Sequence, residues 1–261
     1  MRYKENKKWY RIGKCLISIT NQNDAISNIE DAALNNLNGY VCVSNMRMVR
    51  YANKTENADY LKVMANSLMN LPDGMPLVWC ARLWGLKKVG RTSGPELFQK
   101  MIKDSGNDIK HFLLGDTEDT LNAIKTKYTK EHSSNIVGTY SPPFANVDEF
   151  DYKGIAETIN KSEADIVWVA MRSPKQDIFS NNILPLLNNK ICISVGRAFR
   201  IAIGEVKDAP KSIQKLGVSG FYSRRVSFRE TFMFYFTSTF SLLKYVIQIL
   251  YWRLTNVKHF E

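Results

Sequence analysis

Short apolar runs alternate with amphipathic stretches of helical period through the first 204 residues of the chain. Six of the runs predict strands, at 15–19, 40–43, 110–114, 135–139, 165–171 and 190–195. Six stretches between them predict helices, at 24–37, 57–70, 93–105, 117–130, 152–162 and 174–187. Strands separated by helices of this length favour right-handed crossovers and parallel pairing. The pattern therefore predicts an α/β fold with a Rossmann-like, mostly parallel sheet flanked by helices.

The pattern changes after residue 204, which predicts a core of residues 1–204 and a helical C-terminal appendage of residues 205–261. Residues 231–243 carry no charge and include five aromatic side chains, and Lys244 then interrupts the apolar pattern. A membrane-spanning helix needs about 20 consecutive apolar residues, so this segment is too short. We interpret it as an amphipathic segment in a membrane interface, and the alternative is a helix pair that packs on the domain or on a neighbouring subunit.

The net charge of +11 is concentrated at the two ends of the chain. Residues 1–14 hold six basic residues against one acid, and residues 205–261 hold nine against four, so each end carries +5 and the middle +1. A nucleic-acid-binding protein would have its cations spread over the folded domain, so nucleic acid is not an expected partner. The positive charge of the C-terminal appendage instead favours contact with an anionic membrane surface. The pattern leaves open whether the chain forms a homo-oligomer.

Cysteine usage and the first residues favour the cytoplasm. The four cysteines are far apart and form no C-x-x-C pair, which favours reduced, buried thiols over disulfides. Residues 1–14 are charged and lack an apolar core, so no signal peptide is expected. With the basic tail, these features predict a cytoplasmic protein that is peripheral on the inner face of the cell membrane.

The loops that follow two predicted strands carry chemistry suited to a ligand. The run 165–171 leads into Ser173, Pro174, Lys175 and Gln176, and the run 190–195 ends on Gly196. Ligands bind at the carboxyl ends of strands in open parallel sheets. Pro174 stands where a first helical residue would, so the amides after it would face an anion. We therefore expect a phosphate or nucleotide-sugar site here.

Asp73 is the best candidate for an acid or base. It lies between a proline and a glycine, where aspartate is also common for purely local reasons. Further along the chain, residues 90–94 supply Arg91 and two hydroxyls directly before a predicted helix, which suits a phosphate or a sugar hydroxyl. A nearby carboxylate could deprotonate an acceptor hydroxyl. Arg91 could equally serve in a surface ion pair.

Signatures of other enzyme classes are absent from the sequence. It contains no G-x-G-x-x-G, no P-loop, no G-x-S-x-G and no H-E-x-x-H. Its three histidines are scattered, and it has no D-x-D motif. The sequence therefore predicts a site without a metal and disfavours a nicotinamide- or flavin-dependent oxidoreductase.

Ordered short motifs resemble the WecG/TagA/CpsF glycosyltransferases, which extend bacterial cell-surface polysaccharides. The resemblance covers about residues 15–235. Its pieces are Leu71-Pro-Asp-Gly74, Arg91-Thr-Ser-Gly94, Glu96-Leu97, Phe112-Leu-Leu-Gly115, Gly138-Thr-Tyr-Ser-Pro-Pro-Phe144, Ala164-Asp-Ile-Val-Trp-Val169, Ser173-Pro-Lys-Gln176, Val195-Gly196, Ala198-Phe199, Ala209-Pro-Lys211 and Leu216-Gly217. The resemblance implies inverting, metal-independent transfer of an N-acetylhexosamine-type sugar, N-acetylmannosamine or its uronic acid, from a UDP donor. The implied acceptor is a polyprenyl-diphosphate-linked sugar, and no cofactor besides the donor is expected.

The same resemblance assigns roles to individual residues. It implies that Asp73 is the catalytic base, that Asn45 lies in the active site, and that Arg91 and Gln176 hold the donor. The family's arginine-rich appendage is expected to cover the site and touch the membrane, and its region here includes Arg224, Arg225 and Arg229.

The sequence departs from the family pattern at several positions. Val43 stands where threonine is usual, Arg172 replaces a glycine, and Arg200 stands where aspartate is common. We expected both arginines at strand ends near the donor, where they could accommodate an acidic sugar. The alternative is a catalytically weakened, membrane-associated protein that binds nucleotide sugars.

Overall fold

The computed structural model describes residues 8–105, 108–215 and 228–255. Six of the described strands form one parallel sheet, in the spatial order β4 (Met69–Pro72), β3 (Gly39–Ser44), β8 (Ile191–Ser194), β7 (Ile166–Ala170), β5 (His111–Gly115) and β6 (Ile136–Tyr140). Two more form an antiparallel hairpin, β1 (Trp9–Ile12) and β2 (Cys15–Ser18). The α/β fold class that the sequence predicts is confirmed.

Helices flank and connect these strands. In chain order, the α-helices of the described residues are α1 (Gln22–Leu34), α2 (Met46–Ala52), α3 (Ala58–Asn66), α4 (Met75–Leu83), α5 (Gly94–Asp104), α6 (Glu118–His132), α7 (Tyr152–Lys161), α8 (Lys175–Ile183), α9 (Ala198–Ala202), α10 (Lys211–Lys215) and α11 (Phe228–Leu254). Short 3-10 turns lie at Thr55–Asn57 and Leu184–Leu186. Five of the six predicted helices agree with this assignment to within a few residues.

The centre of the sheet is buried on both faces, as a parallel sheet between helices requires. Trp168 of β7 is fully buried and meets the ring of Phe98 edge-to-face at 5.1 Å between centroids. Its indole N–H donates to Nδ1 of His111, whose Nε2 lies 2.7 Å from the Ser105 hydroxyl. Burial lowers the pKa of His111 to about 4, so this histidine is a neutral part of the core.

Two sequence predictions about strands and helices are wrong in part. The run at 15–19 is a strand but pairs with β1 in the hairpin, outside the parallel sheet. The helix predicted at 57–70 ends at Asn66, where the Ser67 hydroxyl donates to the Met64 carbonyl, and strand β4 then begins. The four buried residues of β4 form an edge strand whose end carries the chain to Asp73.

The last helix packs on the core along one face. Tyr245 and Ile249 are buried, and the rings of Trp252 and Trp84 stack at 6.0 Å between centroids. The Arg253 guanidinium donates to the Leu83 carbonyl at 2.7 Å. One helix of 27 residues therefore packs on the domain, where the alternative sequence interpretation expected a pair. The interfacial role of this segment stays a prediction.

The opposite face of α11 is apolar and exposed. Its large side chains are Phe240, Leu243, Ile247, Leu250, Tyr251 and Leu254, between 42% and 84% exposed. None of the helices in the described ranges combines the length and apolarity that a membrane crossing requires. The division of the chain at residue 204 also stays a prediction.

Candidate active site

The ends of β3 and β4 bring Asn45 and Asp73 together. Ser44 and Pro72, the last residues of these strands, are paired in register. The amide of Asp73 donates to the Ser44 carbonyl at 2.7 Å, which ties the two strand ends to each other. Asn45 caps α2, since its Oδ1 accepts from the amides of Arg47 and Met48. Because Oδ1 is committed to the helix, a substrate would meet the exposed Nδ2 of Asn45.

Asp73 and Arg91 form an ion pair. Arg91 Nη2 lies 3.1 Å from Asp73 Oδ1, and about a quarter of the Asp73 side chain remains exposed. Gly74 follows Asp73 with φ +132°, a conformation that favours glycine, and starts α4. Burial raises the pKa of Asp73, and the Arg91 guanidinium works against that rise. The pKa of this carboxyl therefore depends on what Arg91 contacts, and the role of Asp73 as a base stays a prediction.

A segment of the predicted appendage reaches this ion pair. The Arg91 guanidinium also donates to Oε1 of Gln214, and the Gln214 amide donates to Asp208 at 3.0 Å and to the Ala209 carbonyl at 2.6 Å. The charge of Asp208 further raises the pKa of Asp73. Residues 208–214 therefore lie beside the candidate base. Sequence reasoning did not find Gln214 or Asp208, because no local pattern links them to Arg91.

Unpartnered polar atoms surround the first turn of α5. The hydroxyls of Thr92 and Ser93 are buried and have no hydrogen-bond partner within the described part of the chain. Gln22 Oε1 accepts from the Ser93 amide at 2.9 Å, while its Nε2 is buried without a partner there. Buried polar groups in proteins are almost always paired, so three unpartnered atoms in one place call for a partner such as a ligand or an ordered water. A helix N-terminus with several donors is suited to an anion such as phosphate. The sequence analysis identified the two hydroxyls and missed Gln22.

Gln176 joins the ends of β7 and β8. Its side chain is almost fully buried, its Nε2 donates to the Ser173 hydroxyl at 2.9 Å, and its Oε1 accepts from the Gly196 amide at 2.9 Å. Gly196 has φ +59°, the left-handed conformation. Gln176 therefore holds the Ser173 loop and Gly196 in position through hydrogen bonds within the protein. Its direct contact with a donor stays a prediction, as does that of Ser173 and Gly196.

The start of α8 differs from the sequence expectation. The amides of Gln176 and Asp177 donate to the carbonyls of Arg172 and Pro174 at 3.2 and 3.1 Å, so they are not available to an anion as predicted. The Ser173–Pro174 peptide bond is cis. Within the described ranges, two hydroxyls without a hydrogen-bond partner, those of Thr92 and Ser93, lie at the start of α5 instead.

Lys175 contacts the loop between β6 and α7. Its ammonium donates to the Ala145 carbonyl and lies 4.8 Å from the ring centroid of Phe150 and 5.4 Å from that of Phe144. These contacts position the loop, whose Phe144 ring is fully exposed. A donor-binding role for Lys175 stays a prediction.

A buried carboxyl lies beneath the Ser173 loop. Asp177 is 1% exposed and accepts from the Tyr60 hydroxyl at 2.7 Å. Burial raises the pKa of Asp177 to about 6, and the hydrogen bond from the Tyr60 hydroxyl limits the rise. The sequence analysis missed this group, because nothing in the local pattern shows that Asp177 faces the sheet.

The predicted arginines fall in different places. Arg172 is exposed directly after β7, as expected. Arg200 lies within α9 and so does not itself end a strand, but its guanidinium pairs at 2.8 Å with Asp116, which directly follows β5. Its nearness to the donor stays a prediction. Val43 is buried in β3 near Gly94.

Arg224 and Arg225 lie outside the described residues, and Arg229 lies in α11 without a described side chain. Across the described ranges, no three His, Cys, Asp or Glu side chains gather where they could hold a metal ion.

Comparison with known proteins adds to this geometry. The profile of the glycosyl transferase WecG/TagA/CpsF family matches residues 10–257. One curated relative is the N-acetylglucosaminyldiphosphoundecaprenol N-acetyl-beta-D-mannosaminyltransferase of Bacillus subtilis (strain 168), which is 27% identical over 168 residues. That match covers 64% of this chain and 64% of the relative, somewhat under two thirds of its length. The ordered motifs, the parallel sheet and the nearly full-length profile match agree, and the chain belongs to the WecG/TagA/CpsF family of glycosyl transferases.

Proposed function

We propose that the protein transfers an N-acetylhexosamine-type sugar, N-acetylmannosamine or its uronic acid, from a UDP donor to a polyprenyl-diphosphate-linked sugar. The observation that carries the proposal is the Asp73–Arg91 ion pair beside three unpartnered buried polar atoms at the start of α5. This arrangement combines a base with an anion site in a chain of a glycosyl transferase family. The name of the Bacillus subtilis relative supports the choice of sugar and of lipid-linked acceptor.

We place the donor diphosphate at the first turn of α5. There the Thr92 and Ser93 hydroxyls and the Gln22 amide would donate to phosphate oxygens, and Arg91 would add a positive charge. Donors fixed in place before the reaction stabilise charge that develops on a leaving group without any cost of reorganisation. This chain's own cations and dipoles would thus stabilise the departing UDP, and the prediction of a metal-independent reaction rests on them.

Asp73 would act as general base. It takes the proton from the acceptor hydroxyl while the oxygen attacks the anomeric carbon and the bond from that carbon to the diphosphate oxygen breaks. Attack opposite the leaving group inverts the anomeric centre. Arg91 is shared in this scheme, because the bound diphosphate competes with Asp73 for the guanidinium. As Arg91 turns toward phosphate, the carboxylate loses its counter-charge and becomes a stronger base.

The last helix supports peripheral attachment to the cytoplasmic face of the membrane. Its exposed apolar face spans Phe240 to Leu254, and Arg253 and Lys244 flank it. An amphipathic helix of this kind lies in the plane of the interface with its apolar face among the acyl chains. Such a placement would hold the site next to a lipid-linked acceptor.

A donor panel tests the proposal directly. The full-length protein and the Asp73→Asn variant are incubated with UDP-N-acetylhexosamines and their uronic acids, together with a lipid-diphosphate-N-acetylglucosamine analogue. We expect product from the wild type in the presence of EDTA, and at least about a hundredfold less from Asp73→Asn, because general bases contribute roughly 10² to 10⁴ in rate.

Equal turnover by both proteins would remove Asp73 as the base. A loss in EDTA that Mg²⁺ restores would contradict metal independence. UDP binding without product from any donor would favour the alternative of a weakened nucleotide-sugar-binding protein.

A further inference from the structure

A second cleft lies under the last helix, away from the candidate active site. It has a volume of about 490 Å³ and is enclosed by the β1–β2 hairpin, the C-terminal end of α2, helix α3 and helix α11. Asn45 precedes the first turn of α2, whereas the cleft adjoins Asn53 just beyond its last turn. The helix separates them by about 10 Å, since each residue advances the axis by about 1.5 Å. A volume of this size is in the usual range for a small-molecule site.

The charge of the cleft is one-sided. Among the described residues, its lining includes three cations, Arg11, Lys14 and Lys244, and no carboxylate. Buried guanidinium nitrogens of Arg11 and of the neighbouring Arg50 have no hydrogen-bond partner among the described residues. Like charges held together repel, and unpaired buried donors are costly, so an anion bound in the cleft would relieve both effects.

Apart from Asn53 and Gln248, the rest of the lining is mostly apolar and continues toward the outer face of α11. Leu16, Leu61, Met64 and Trp252 form the wall of the cleft. Side chains on a helix are offset by about 100° per residue, so Lys244 and Gln248 lie between the packed face of α11 and Tyr251 on its exposed apolar face. A ligand with its anionic group among the cations would therefore have its apolar part along this wall and toward the outer face.

We propose that this cleft binds the headgroup of an anionic phospholipid. The phosphate would lie among Arg11, Lys14 and Lys244, and the first acyl carbons would follow the wall formed by Leu61 and Trp252. A soluble phosphate ester would use the cations but leave the apolar wall uncovered. The inference extends the proposed membrane attachment, on which it rests, by naming a specific lipid site separate from the site of sugar transfer.

Titration of the full-length protein with short-chain lipids tests the site. The probes are dihexanoyl phosphatidylglycerol, dihexanoyl phosphatidylcholine, glycerol 3-phosphate and inorganic phosphate, measured by calorimetry. The double variant Lys14→Gln/Lys244→Gln removes two lining cations. The control Lys125→Gln/Lys130→Gln removes two exposed lysines of α6 and changes the net charge equally. Ala65→Trp fills the cleft from the exposed side of α3 without any change in charge.

We expect saturable binding of phosphatidylglycerol, about tenfold or more weaker in Lys14→Gln/Lys244→Gln, weaker also in Ala65→Trp, and unchanged within about twofold in the control. Equal losses in the two lysine pairs would show attraction by net charge alone and overturn the site. Equal affinity for phosphatidylcholine, or competition by glycerol 3-phosphate at the same concentration as by the lipid, would overturn its assignment to an anionic lipid. Sugar transfer is assayed in the same wild-type preparation. Lipid binding without transfer would refute the proposed function and leave this site standing.

Discussion

The pKa of Asp73 is subject to opposing influences, which would set its strength as the proposed base. Burial raises its pKa, as does the charge of Asp208, while Arg91 at 3.1 Å opposes the rise. The second contact of Arg91, to Gln214, holds the guanidinium between the core and the first segment of the predicted appendage. The protonation of one residue is thus coupled to the position of another 141 residues later in the chain, since Gln214 follows Asp73 by that number.

The pH dependence of transfer follows from the raised pKa of Asp73. A base must be ionised, so kcat/KM should rise with pH and level off above an inflection that lies higher than the usual aspartate pKa of 3.8. The measurement is a pH–rate profile with donor affinity determined at each pH. In Asp73→Asn the residual rate should lack this inflection. A wild-type rate that is flat from pH 4 to 8, with unchanged donor affinity, would contradict the assignment of Asp73 as base.

Gln176→Ala should weaken donor binding through the shape of the site. The change leaves the Gly196 amide and the Ser173 hydroxyl without their present partner, which costs about 1–3 kcal/mol in the free energy of unfolding. Donor Kd should rise several-fold, as measured by calorimetry with UDP. Ser180→Ala is the matched control, because its hydroxyl donates to the Gln176 carbonyl on the same helix and touches neither strand end. Unchanged donor affinity in Gln176→Ala would refute this role.

The sequence predicted the residues of the site better than their contacts. Asp73, Arg91 and Gln176 could be named because proline, glycine and hydroxyl residues mark their loops. The partners of these residues could not, since Gln22 lies 71 residues before Ser93 and Gln214 lies 123 residues after Arg91. Such contacts depend on tertiary packing, which leaves no periodic pattern in the local sequence.

At the scale of elements, the parallel strands were predictable and the edges of the fold were not. Strands such as β7, Ile166–Ala170, are continuously apolar because both faces of the sheet are covered. Strand β4 has only four residues and follows α3 after a short turn, so its pattern merges with the helix. Strand β1 lies in the basic first segment, where lysine and arginine obscure the alternation of its buried residues Tyr10 and Ile12.

The exposed face of α11 makes a testable prediction about membranes. The double variant Leu243→Ser/Ile247→Ser should bind vesicles of anionic lipid at least about tenfold more weakly, because each large apolar side chain contributes about 1.5–3 kcal/mol when it is fully buried. The control is Leu34→Ser/Leu186→Ser, which changes two exposed leucines elsewhere on the domain. Co-sedimentation with vesicles measures both variants. Equal binding by the two would show that this face of α11 is not the attachment surface.

For the molecule as a whole, two buried titratable groups make opposite contributions to the pH dependence of the free energy of unfolding. Burial lowers the pKa of His111 to about 4, so the unfolded chain takes up this proton at a higher pH than the folded protein does. The contribution of neutral His111 to the free energy of unfolding is therefore fully present above pH 6.5 and is lost as the pH falls toward 4. Asp177 has its pKa raised to about 6, so its favourable contribution is present below pH 3.8 and is lost as the pH rises through 6. Each shift of about two units corresponds to about 3 kcal/mol. Between pH 4 and 6.5 the two effects have opposite signs and flatten the stability profile.

Asp177→Asn should expose this compensation. The variant keeps an acceptor for the Tyr60 hydroxyl and removes the titration. Relative to the wild type, its free energy of unfolding should increase by up to about 3 kcal/mol between pH 4 and 7. Urea denaturation at each pH measures the difference, with the exposed Asp148→Asn as control. A difference that does not vary with pH would mean that Asp177 titrates alike in the folded and unfolded chain.

The packing of α11 on α4 has a consequence for the evolution and engineering of this protein. Helix α4 starts beside Asp73 at Gly74, and its other end supplies the Leu83 carbonyl that accepts from Arg253. Tyr245 and Ile249 complete the core at the same interface. The tail is therefore not an interchangeable anchor. A foreign membrane segment grafted after residue 215 could restore location, but it would leave part of the catalytic domain uncovered, so tail and core have to change together.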